Sequence, residues 1–262
     1  MTTPILLVSA GSMGGALLAG WRRAGAFPIS EVMIREPAPN PDVASSGARL
    51  NPDDAAIGAA RTVALAMKPQ IWREVAAELA PLLADDAVIV SVAAGVASAD
   101  IAMAYGGRRV ARVMPTTAAR IGHGVASVYA ADAVARARAH ALFEPVGTVV
   151  DLDDEDLMHA ATAVSGSAPA YLYAFVEALE AAGVALGLGP AVARDLARAT
   201  TAGAAALMAS TGADAAELRR QVTSPGGTTE AALKVLMGAA GLGPLLRDAA
   251  AAAERRSREL GR

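Results

Sequence analysis

The chain has 262 residues, of which 54% are hydrophobic, 19% charged and 3% aromatic, and its formal net charge is −3. This composition excludes an intrinsically disordered chain, and the length allows two ordinary domains with a sizeable core. The acidic balance offers no basic surface for phosphates, so we expect no nucleic-acid partner. The absence of Cys excludes disulfides, thiol nucleophiles and thiolate metal sites, and it fits a cytoplasmic location.

The first 21 residues carry no charge, a property that a signal peptide or a membrane segment would share. No Lys or Arg precedes the apolar stretch, however, and Gly and Ser interrupt it between positions 9 and 15. A buried strand that runs into a helix explains the pattern better. We therefore expect neither secretion nor a membrane partner.

Residues 1–152 alternate short apolar runs with segments of helical spacing. The predicted strands are 5–8, 32–35, 62–67, 87–92, 110–114, 125–130 and 148–152. Helical spacing occurs between several of them, at 13–25, 70–83 and 131–143. Strands that alternate with helices indicate an α/β domain over 1–152, with a doubly wound and mostly parallel sheet that is covered on both faces.

The pattern changes after the acidic run at 151–156. No further strand is predicted, and helical spacing dominates at 168–186, 190–210, 214–222, 229–240 and 244–260. The sequence therefore predicts a second, all-helical domain over 153–262.

The turn after the first strand is rich in small residues and leads into a helix. It reads Ser9-Ala10-Gly11-Ser12-Met13-Gly14, in which Ser9 stands where a dinucleotide-binding fingerprint has its first Gly. Backbone N–H groups at such a helix start can hold a pyrophosphate, and Gly11 lets the phosphate come close. A small-residue turn without a ligand is the alternative interpretation of this feature taken alone.

The second strand ends with Arg35 and Glu36, which point to different coenzymes. A carboxylate at this position accepts hydrogen bonds from a ribose 2′-hydroxyl and favours NADH. An Arg accommodates the 2′-phosphate of NADPH. Both types of residue are present, so the coenzyme is predicted as NADPH or NADH.

Three later strands end in segments that are also placed to line a cofactor, because ligands of doubly wound sheets lie beyond the carboxyl ends of the strands. Each segment alone is typical of an ordinary loop after a strand. Because all three are predicted at the same edge of the sheet, together they favour a cofactor site. The residues are Met67, Lys68 and Pro69, then Ala93, Ala94 and Gly95, then Met114 and Pro115.

In the helical half, a run of hydroxyl-bearing and small residues precedes a predicted helix. It reads Thr223-Ser224-Pro225-Gly226-Gly227-Thr228-Thr229 and is called the 223–229 loop below. Pro fixes one turn and two Gly residues free the backbone, so the N–H groups can form a cradle for a carboxylate. A stretch at 165–171 is a simpler helix entry with Ser caps and an early Pro.

Other patterns argue against alternative chemistries. The three His residues have no ligand spacing, so no metal site is predicted. The carboxylates at 151–156 fit a solvated helix start, where negative charge is stabilising. Lys68 could form a Schiff base, but a Lys before Pro at a strand end is at least as easily a cofactor contact.

Taken in order, these segments resemble the pyrroline-5-carboxylate reductases, the enzymes of the last step of proline biosynthesis. The resemblance spans nearly the whole chain. Its most specific part is the block at 218–229, which is similar to the C-terminal signature of the family. The matching stretches are 9–15, 68–70, 91–95, 114–115, 165–171 and 223–229.

The resemblance implies a Rossmann-like N-terminal domain followed by an all-helical dimerisation domain. It implies at least a homodimer, and the family also forms rings of dimers. The active site is then expected between the nucleotide domain of one subunit and the helical domain of its mate. The expected reaction is hydride transfer from NAD(P)H to the small-molecule substrate 1-pyrroline-5-carboxylate, which gives L-proline.

The resemblance also assigns roles to residues. Ser224, Gly226 and Gly227 are expected to bind the substrate carboxylate, and Thr228 is expected to be a further substrate-binding residue. The Thr229 hydroxyl is expected to contact the ring nitrogen as the catalytic group. Lys68, Pro69, Ala93 and Ala94 are expected from the resemblance to line the ribose and nicotinamide of the cofactor. The glycine-rich turn and the strand ends described above add the other expected cofactor contacts: Ala10, Gly11, Ser12, Met13, Gly14, Arg35, Glu36, Met67, Gly95, Met114 and Pro115. A protonated cyclic imine is already electrophilic, so the reaction needs neither a protein nucleophile nor a metal.

The sequence departs from the family at several positions. Ser9 replaces a Gly, Ser12 stands where the family often has Asn, Thr116 replaces an Asn, and Ala118 replaces a Pro. Two alternatives therefore stay open: a reductase of another cyclic imine, and a nucleotide-binding regulatory homologue with impaired catalysis. A β-hydroxy acid dehydrogenase is disfavoured because Lys234 is the only Lys of the helical half.

Overall fold

The computed structural model describes residues 2–260. Within that range the chain forms one eight-stranded sheet in the order β3-β2-β1-β4-β5-β6-β7-β8. Neighbouring strands are parallel except for β6 and β7, which are antiparallel. The strands are β1 Ile5–Val8, β2 Val32–Arg35, β3 Arg49–Leu50, β4 Thr62–Leu65, β5 Val88–Ser91, β6 Val110–Pro115, β7 Gly124–Tyr129 and β8 Gly147–Asp151.

Helices α1 to α6 alternate with these strands, and helices α7 to α12 follow the last strand. The helices are α1 Ser12–Ala24, α2 Pro41–Ala44, α3 Asp54–Gly58, α4 Trp72–Leu79, α5 Ser98–Ala104, α6 Ala133–Phe143, α7 Leu157–Ala161, α8 Ala168–Ala185, α9 Pro190–Thr211, α10 Ala215–Gln221, α11 Thr228–Leu236 and α12 Leu242–Leu260. The predicted α/β sheet followed by a helical region is thus confirmed.

The central strands are apolar on both faces because both faces of the sheet are covered. Along β1, Ile5 and Leu7 belong to one buried cluster, and Leu6 and Val8 belong to another. Successive side chains of a strand point to opposite faces, so a continuous apolar run fills two cores at once. This is why the central predicted strands read as apolar runs without alternation, whereas the edge strand β8 is half-buried to exposed.

Each cluster has its own large side chains. Trp21 of α1 and Phe143 of α6 are buried in the first cluster, and the Trp21 Nε1–H donates to the Leu142 carbonyl oxygen at 2.6 Å. Tyr105 and Leu79 are buried in the second cluster. Burial raises the pKa of the Tyr105 hydroxyl above its ordinary value. The sheet is therefore held from both sides, which fixes the positions of its strand ends.

The chain divides into two compact units, one reaching from the N-terminus to Gly166 and resuming at Ala253, the other spanning Ser167–Ala252. Side chains explain why the end of α12 belongs to the first unit. Arg258 donates two hydrogen bonds to Asp156, at 2.5 and 2.7 Å, and the Ser257 hydroxyl lies 2.9 Å from His159 Nδ1. The predicted boundary at 152/153 stays a prediction, and this division places 153–166 and the end of α12 with the sheet.

A buried ion pair reinforces the segment that follows the sheet. The Arg112 guanidinium of β6 is bonded to Glu155 at 3.0 Å, and the other Glu155 oxygen accepts from the Ser98 hydroxyl. Because Arg112 is almost fully buried, removal of Glu155 would leave an uncompensated charge. Part of the acidic run that was interpreted as a solvated helix start is therefore structural.

In the part of the chain that the structure describes, no helix has the length and apolar character that crossing a membrane requires.

Candidate active site

Five parallel strands end at one edge of the sheet, and every predicted cofactor residue lies at that edge. The segments follow or end β1, β2, β4, β5 and β6, which are neighbours in the sheet. The strand order reverses between β1 and β4, the position where doubly wound sheets bind ligands. The fold thus brings together five segments that are more than 100 residues apart in sequence at their extremes.

The turn after β1 has the geometry that a glycine-rich fingerprint requires. Ser9 adopts a left-handed backbone with φ of 70°, which explains why a Gly is expected there. A Cβ on Gly14 would lie 2.1 Å from the Ser9 carbonyl oxygen, so this Gly permits the close approach of helix and turn. A Cβ on Gly11 would meet nothing nearer than Ser9 Oγ at 3.8 Å, so the space above Gly11 is open.

The start of α1 offers unpaired donors beside this open space. The first helical bond runs from the Gly15 N–H to the Gly11 carbonyl oxygen at 2.8 Å, which leaves the N–H groups of Ser12, Met13 and Gly14 without helical acceptors. No acidic residue lies in the first turn, and no side chain caps it. These features fit the pyrophosphate of a dinucleotide.

Glu36 lies against the glycine-rich turn. Its Oε2 accepts hydrogen bonds from the Ala10 N–H at 2.8 Å and from the Ser9 hydroxyl at 3.3 Å. Its backbone is paired with the Asn51 side chain, whose Oδ1 accepts from the Glu36 N–H and whose Nδ2 donates to the Glu36 carbonyl oxygen. Sequence reasoning found Glu36 but missed Asn51, which lies 15 residues further along the chain.

Arg35, the other predicted coenzyme contact at this strand end, is engaged elsewhere. Its guanidinium forms an ion pair with Glu78 of α4. The side chain is about one third exposed, so the pair is partly solvated. Arg35 therefore lies at the predicted edge, but its guanidinium is paired with a carboxylate of α4.

The ends of β4 and β5 form the next part of the edge. Met67 and Ala93 are buried, Lys68 is exposed, and Gly95 has a positive φ of 80°. A pocket of about 230 Å³ has walls that include Pro69 and Gly95. Residues of the two predicted segments are thus close enough to line one pocket.

The end of β6 carries Met114, half-buried, and Pro115, buried. The next residue, Thr116, stands at one of the departures from the family. Its hydroxyl oxygen accepts a hydrogen bond from the Val125 N–H at 3.0 Å, and its own N–H donates to the Val125 carbonyl oxygen at 2.9 Å. Thr116 thus serves to join β6 to β7.

The 223–229 loop belongs to the second unit and connects α10 to α11. Gly226 has a positive φ of 69°, a conformation that requires Gly, and the Gly227 N–H donates to the Ser224 carbonyl oxygen at 3.0 Å. Ser224 and Thr228 are exposed, and Thr229 is half-buried in the first turn of α11. The predicted substrate-binding residues are therefore consecutive members of one tight loop.

This loop already holds a carboxylate. The Gly226 N–H donates to Glu230 Oε2 at 2.7 Å. Glu230 was missed by sequence reasoning, although a Glu at the third helical position is a known signal of a reciprocal cap. An internal carboxylate thus occupies a donor that was predicted for the substrate carboxylate.

The His side chains with clearly shifted pKa values lie away from these segments. A hydrogen bond to Glu144, followed by one to Asp151, raises the pKa of His140. Burial lowers the pKa of His159, and the nearby guanidinium groups of Arg112 and Arg258 lower it further. Among residues 2–260, no three His, Asp or Glu side chains are grouped as metal ligands.

The sheet order, the switch point and the turn between β1 and α1 define a Rossmann-like, dinucleotide-binding protein with a helical second region. A family model described as pyrroline-5-carboxylate reductase dimerisation matches residues 155–260, and one described as NADP oxidoreductase coenzyme F420-dependent matches residues 4–95. A pyrroline-5-carboxylate reductase from Pseudomonas aeruginosa is 38% identical over 275 aligned residues, covering 99% of this chain and 98% of its own. The chain belongs to the pyrroline-5-carboxylate reductase family.

Solved structures agree with this assignment. A pyrroline-5-carboxylate reductase from Coxiella burnetii is 30% identical with a TM-score of 0.92, and the match covers 100% of both chains. The Plasmodium falciparum pyrroline carboxylate reductase, solved with NADP bound, shares the fold with a TM-score of 0.84 at 23% identity, over 99% of this chain and 98% of its own. The family resemblance expected from the ordered motifs is therefore confirmed.

Proposed function

We propose that the chain transfers hydride from NADPH or NADH to 1-pyrroline-5-carboxylate to give L-proline. The observation that carries this proposal is the 223–229 loop, whose Gly226 N–H holds a carboxylate in the structure, in a chain that belongs to this reductase family. The hydrogen bond to Glu230 supports the proposal because a backbone N–H of this loop binds a carboxylate there, and in the proposal the substrate carboxylate replaces that of Glu230. The open dinucleotide turn at Gly11 supplies the second requirement.

The coenzyme supplies a hydride when it is bound. On the protein side, the N–H groups of Gly11, Ser12, Met13 and Gly14 bind the pyrophosphate, with Ala10 completing the turn. The remaining proposed contacts form the walls for the ribose and nicotinamide parts of the coenzyme: Met67, Lys68, Pro69, Ala93, Ala94, Gly95, Met114 and Pro115. The buried members of this set exclude water from the reacting atoms.

The loop of the helical unit positions the substrate. Ser224, Gly226, Gly227 and Thr228 bind the carboxylate, and the Thr229 hydroxyl contacts the ring nitrogen. A protonated imine carries its own positive charge, so the chain contributes orientation and no nucleophile. Thr229 is the catalytic residue in this proposal because it touches the nitrogen that gains the electron pair of the C=N bond.

We propose a homodimer as the active assembly, formed through the helical unit and located in the cytoplasm, with a ring of dimers as the larger assembly. Large apolar side chains on α8 and α9 are solvent-exposed in the single chain, which supports an interface there. Examples are Tyr173, Phe175, Val192 and Leu196. The family model that matches residues 155–260 is described as a dimerisation domain.

The proposal is tested by following the loss of nicotinamide absorbance with 1-pyrroline-5-carboxylate, in parallel with NADH and NADPH. Turnover with either coenzyme is expected. Folded protein that binds coenzyme without turnover would instead identify a regulatory homologue.

A second substrate series tests the substrate class. An imine of the same ring without the carboxylate should react at least about tenfold less efficiently, because charge-assisted hydrogen bonds to the loop are lost. A six-membered cyclic imine carboxylate that reacted better than the five-membered one would overturn the substrate assignment but not the reaction type.

A further inference from the structure

The end of β2 is held in one conformation by the strand that follows it. The Asn51 N–H donates to the Ile34 carbonyl oxygen at 2.7 Å, which extends the pairing of β2 with β3. The Asn51 side chain then accepts from the Glu36 N–H at 3.0 Å and donates to the Glu36 carbonyl oxygen at 3.1 Å. The Glu36 backbone is therefore fixed at the edge of the sheet.

The Glu36 carboxylate is fixed as well, and only neutral groups hold it. Oε2 accepts from the Ala10 N–H at 2.8 Å and the Ser9 hydroxyl at 3.3 Å, and Oε1 accepts from the Ala38 N–H at 3.2 Å. In the described range, no Lys, Arg or His forms an ion pair with Glu36. A full negative charge thus lies against the dinucleotide turn.

The two cations that β2 and β3 carry beside Glu36 are both ion-paired with carboxylates. Arg35 is ion-paired with Glu78, and Arg49 is ion-paired with Asp53 at 3.0 Å. Residues 36–48 contain neither Lys nor Arg. Lys68 follows β4, which is separated from β2 by β1.

We propose that Glu36 makes this chain prefer NADH over NADPH. Its carboxylate accepts hydrogen bonds from the adenosine ribose hydroxyls, and it repels the 2′-phosphate that distinguishes NADPH. Asn51 is the positioning residue that holds Glu36 for this role. The inference rests on the proposed function, since it names which of the two coenzymes that site takes.

The experiment measures binding separately from turnover. NADH and NADPH are titrated against the full-length protein at one fixed salt concentration, with the nicotinamide fluorescence of the bound coenzyme as the readout. We expect NADH to bind at least about tenfold more tightly than NADPH, because the Glu36 carboxylate repels the 2′-phosphate of NADPH.

Three substitutions sharpen the measurement. Glu36→Gln removes the charge at constant size and should reduce the NADH preference to about threefold or less, mainly through tighter NADPH binding. Glu36→Asp keeps the charge and should keep the preference. Glu74→Gln, on the exposed side of α4, is the matched control and should leave both affinities unchanged.

Tighter binding of NADPH than of NADH by the unsubstituted protein would overturn the inference, even if Glu36→Gln failed to fold. So would a preference that Glu36→Gln leaves unchanged. Tight NADH binding without reduction of 1-pyrroline-5-carboxylate would overturn the proposed function and leave this inference standing.

Discussion

The carbonyl oxygen of Ser9 lies 2.1 Å from the position that a Cβ on Gly14 would occupy. A side chain at position 14 would therefore collide with the backbone of the turn that follows β1. Ser9 is left-handed at this point, and Gly14 is buried. The turn proposed to bind the coenzyme is therefore fixed by backbone sterics, so the effects of substitutions in it can be predicted.

Gly14→Ala should destabilise the fold, because the added methyl group meets a backbone carbonyl that cannot rotate away. We expect a loss of roughly 2–3 kcal/mol in the free energy of unfolding, measured by urea denaturation. Gly11→Ala is the matched control, since its methyl group enters open space. The free energy of unfolding of Gly11→Ala should stay within about 0.5 kcal/mol of that of the unsubstituted protein, and its coenzyme binding should be weaker. Equal stability of the two variants would contradict this account.

Ser9→Gly should stabilise the protein by roughly 0.5–1 kcal/mol. The left-handed conformation of Ser9 costs about 1–2 kcal/mol, and the greater freedom of Gly in the unfolded chain offsets part of the gain. Thermal unfolding measures the change. Ser9→Ala retains the Cβ and loses only the weak contact with Glu36, so it should show no gain. A stabilised Ser9→Ala would show that the hydroxyl, and not the backbone, is unfavourable.

Thr229→Ala should lower the catalytic efficiency by roughly tenfold or more if the hydroxyl orients the ring nitrogen. Coenzyme affinity should change little, because the proposed partner of this hydroxyl is the ring nitrogen of the substrate and not the coenzyme. Thr229→Ser retains a hydroxyl and should restore most of the activity. Steady-state kinetics and coenzyme titration distinguish these effects, and an unchanged efficiency in Thr229→Ala would remove this residue from the mechanism.

Glu230→Ala should lower the KM for 1-pyrroline-5-carboxylate by roughly two- to fivefold with little change in kcat. The substitution frees the Gly226 N–H and removes a negative charge that opposes the substrate carboxylate. Glu217→Ala is a control that should leave KM unchanged, because Glu217 forms an ion pair with Arg220 of its own helix α10. A higher KM in Glu230→Ala would mean that Glu230 shapes the loop for the substrate.

His140 should contribute stability that disappears as the pH rises. Its hydrogen bonds to Glu144 and Asp151 raise its pKa, so the protonated form is favoured in the folded state. The contribution is full below the unfolded pKa of about 6.5 and is lost as the pH passes through the higher folded pKa.

Because the site is partly solvated, His140→Gln should cost at most about 1 kcal/mol at mildly acidic pH and nothing at alkaline pH, measured by urea denaturation. His123→Gln is the control, since no carboxylate in residues 2–260 forms an ion pair with His123. A cost that does not depend on pH would show that His140 acts by packing alone.

The long elements could be predicted from the sequence, whereas the short ones could not. Strands buried on both faces read as apolar runs, and helices of three or more turns show a clear period. The two-residue β3 and the four-residue α2 are too short to show any period. The segment at 70–83 also begins as a 3-10 turn at Pro69–Ile71 before α4 starts.

The positions of the candidate site residues follow from the strand ends, but their partners do not. Glu36 was found because it ends a strand, while its link to Asn51 depends on how β3 pairs with β2. The pairing of Arg258 with Asp156 joins residues that are 102 positions apart. Such contacts depend on the tertiary fold, and local patterns carry no information about them.

The path of the chain limits how the two units can be separated. The chain leaves the first unit after Gly166 and re-enters it at Ala253, so the helical unit is an insertion between two segments of the other. One proteolytic cut inside the insertion would leave both fragments with part of the nucleotide-binding unit. Truncation at the predicted boundary of 152/153 would separate Glu155 from Arg112 and leave this buried guanidinium without its ion-pair partner. To express the nucleotide-binding unit alone, the inserted segment 167–252 would have to be deleted and Gly166 joined to Ala253 by a linker.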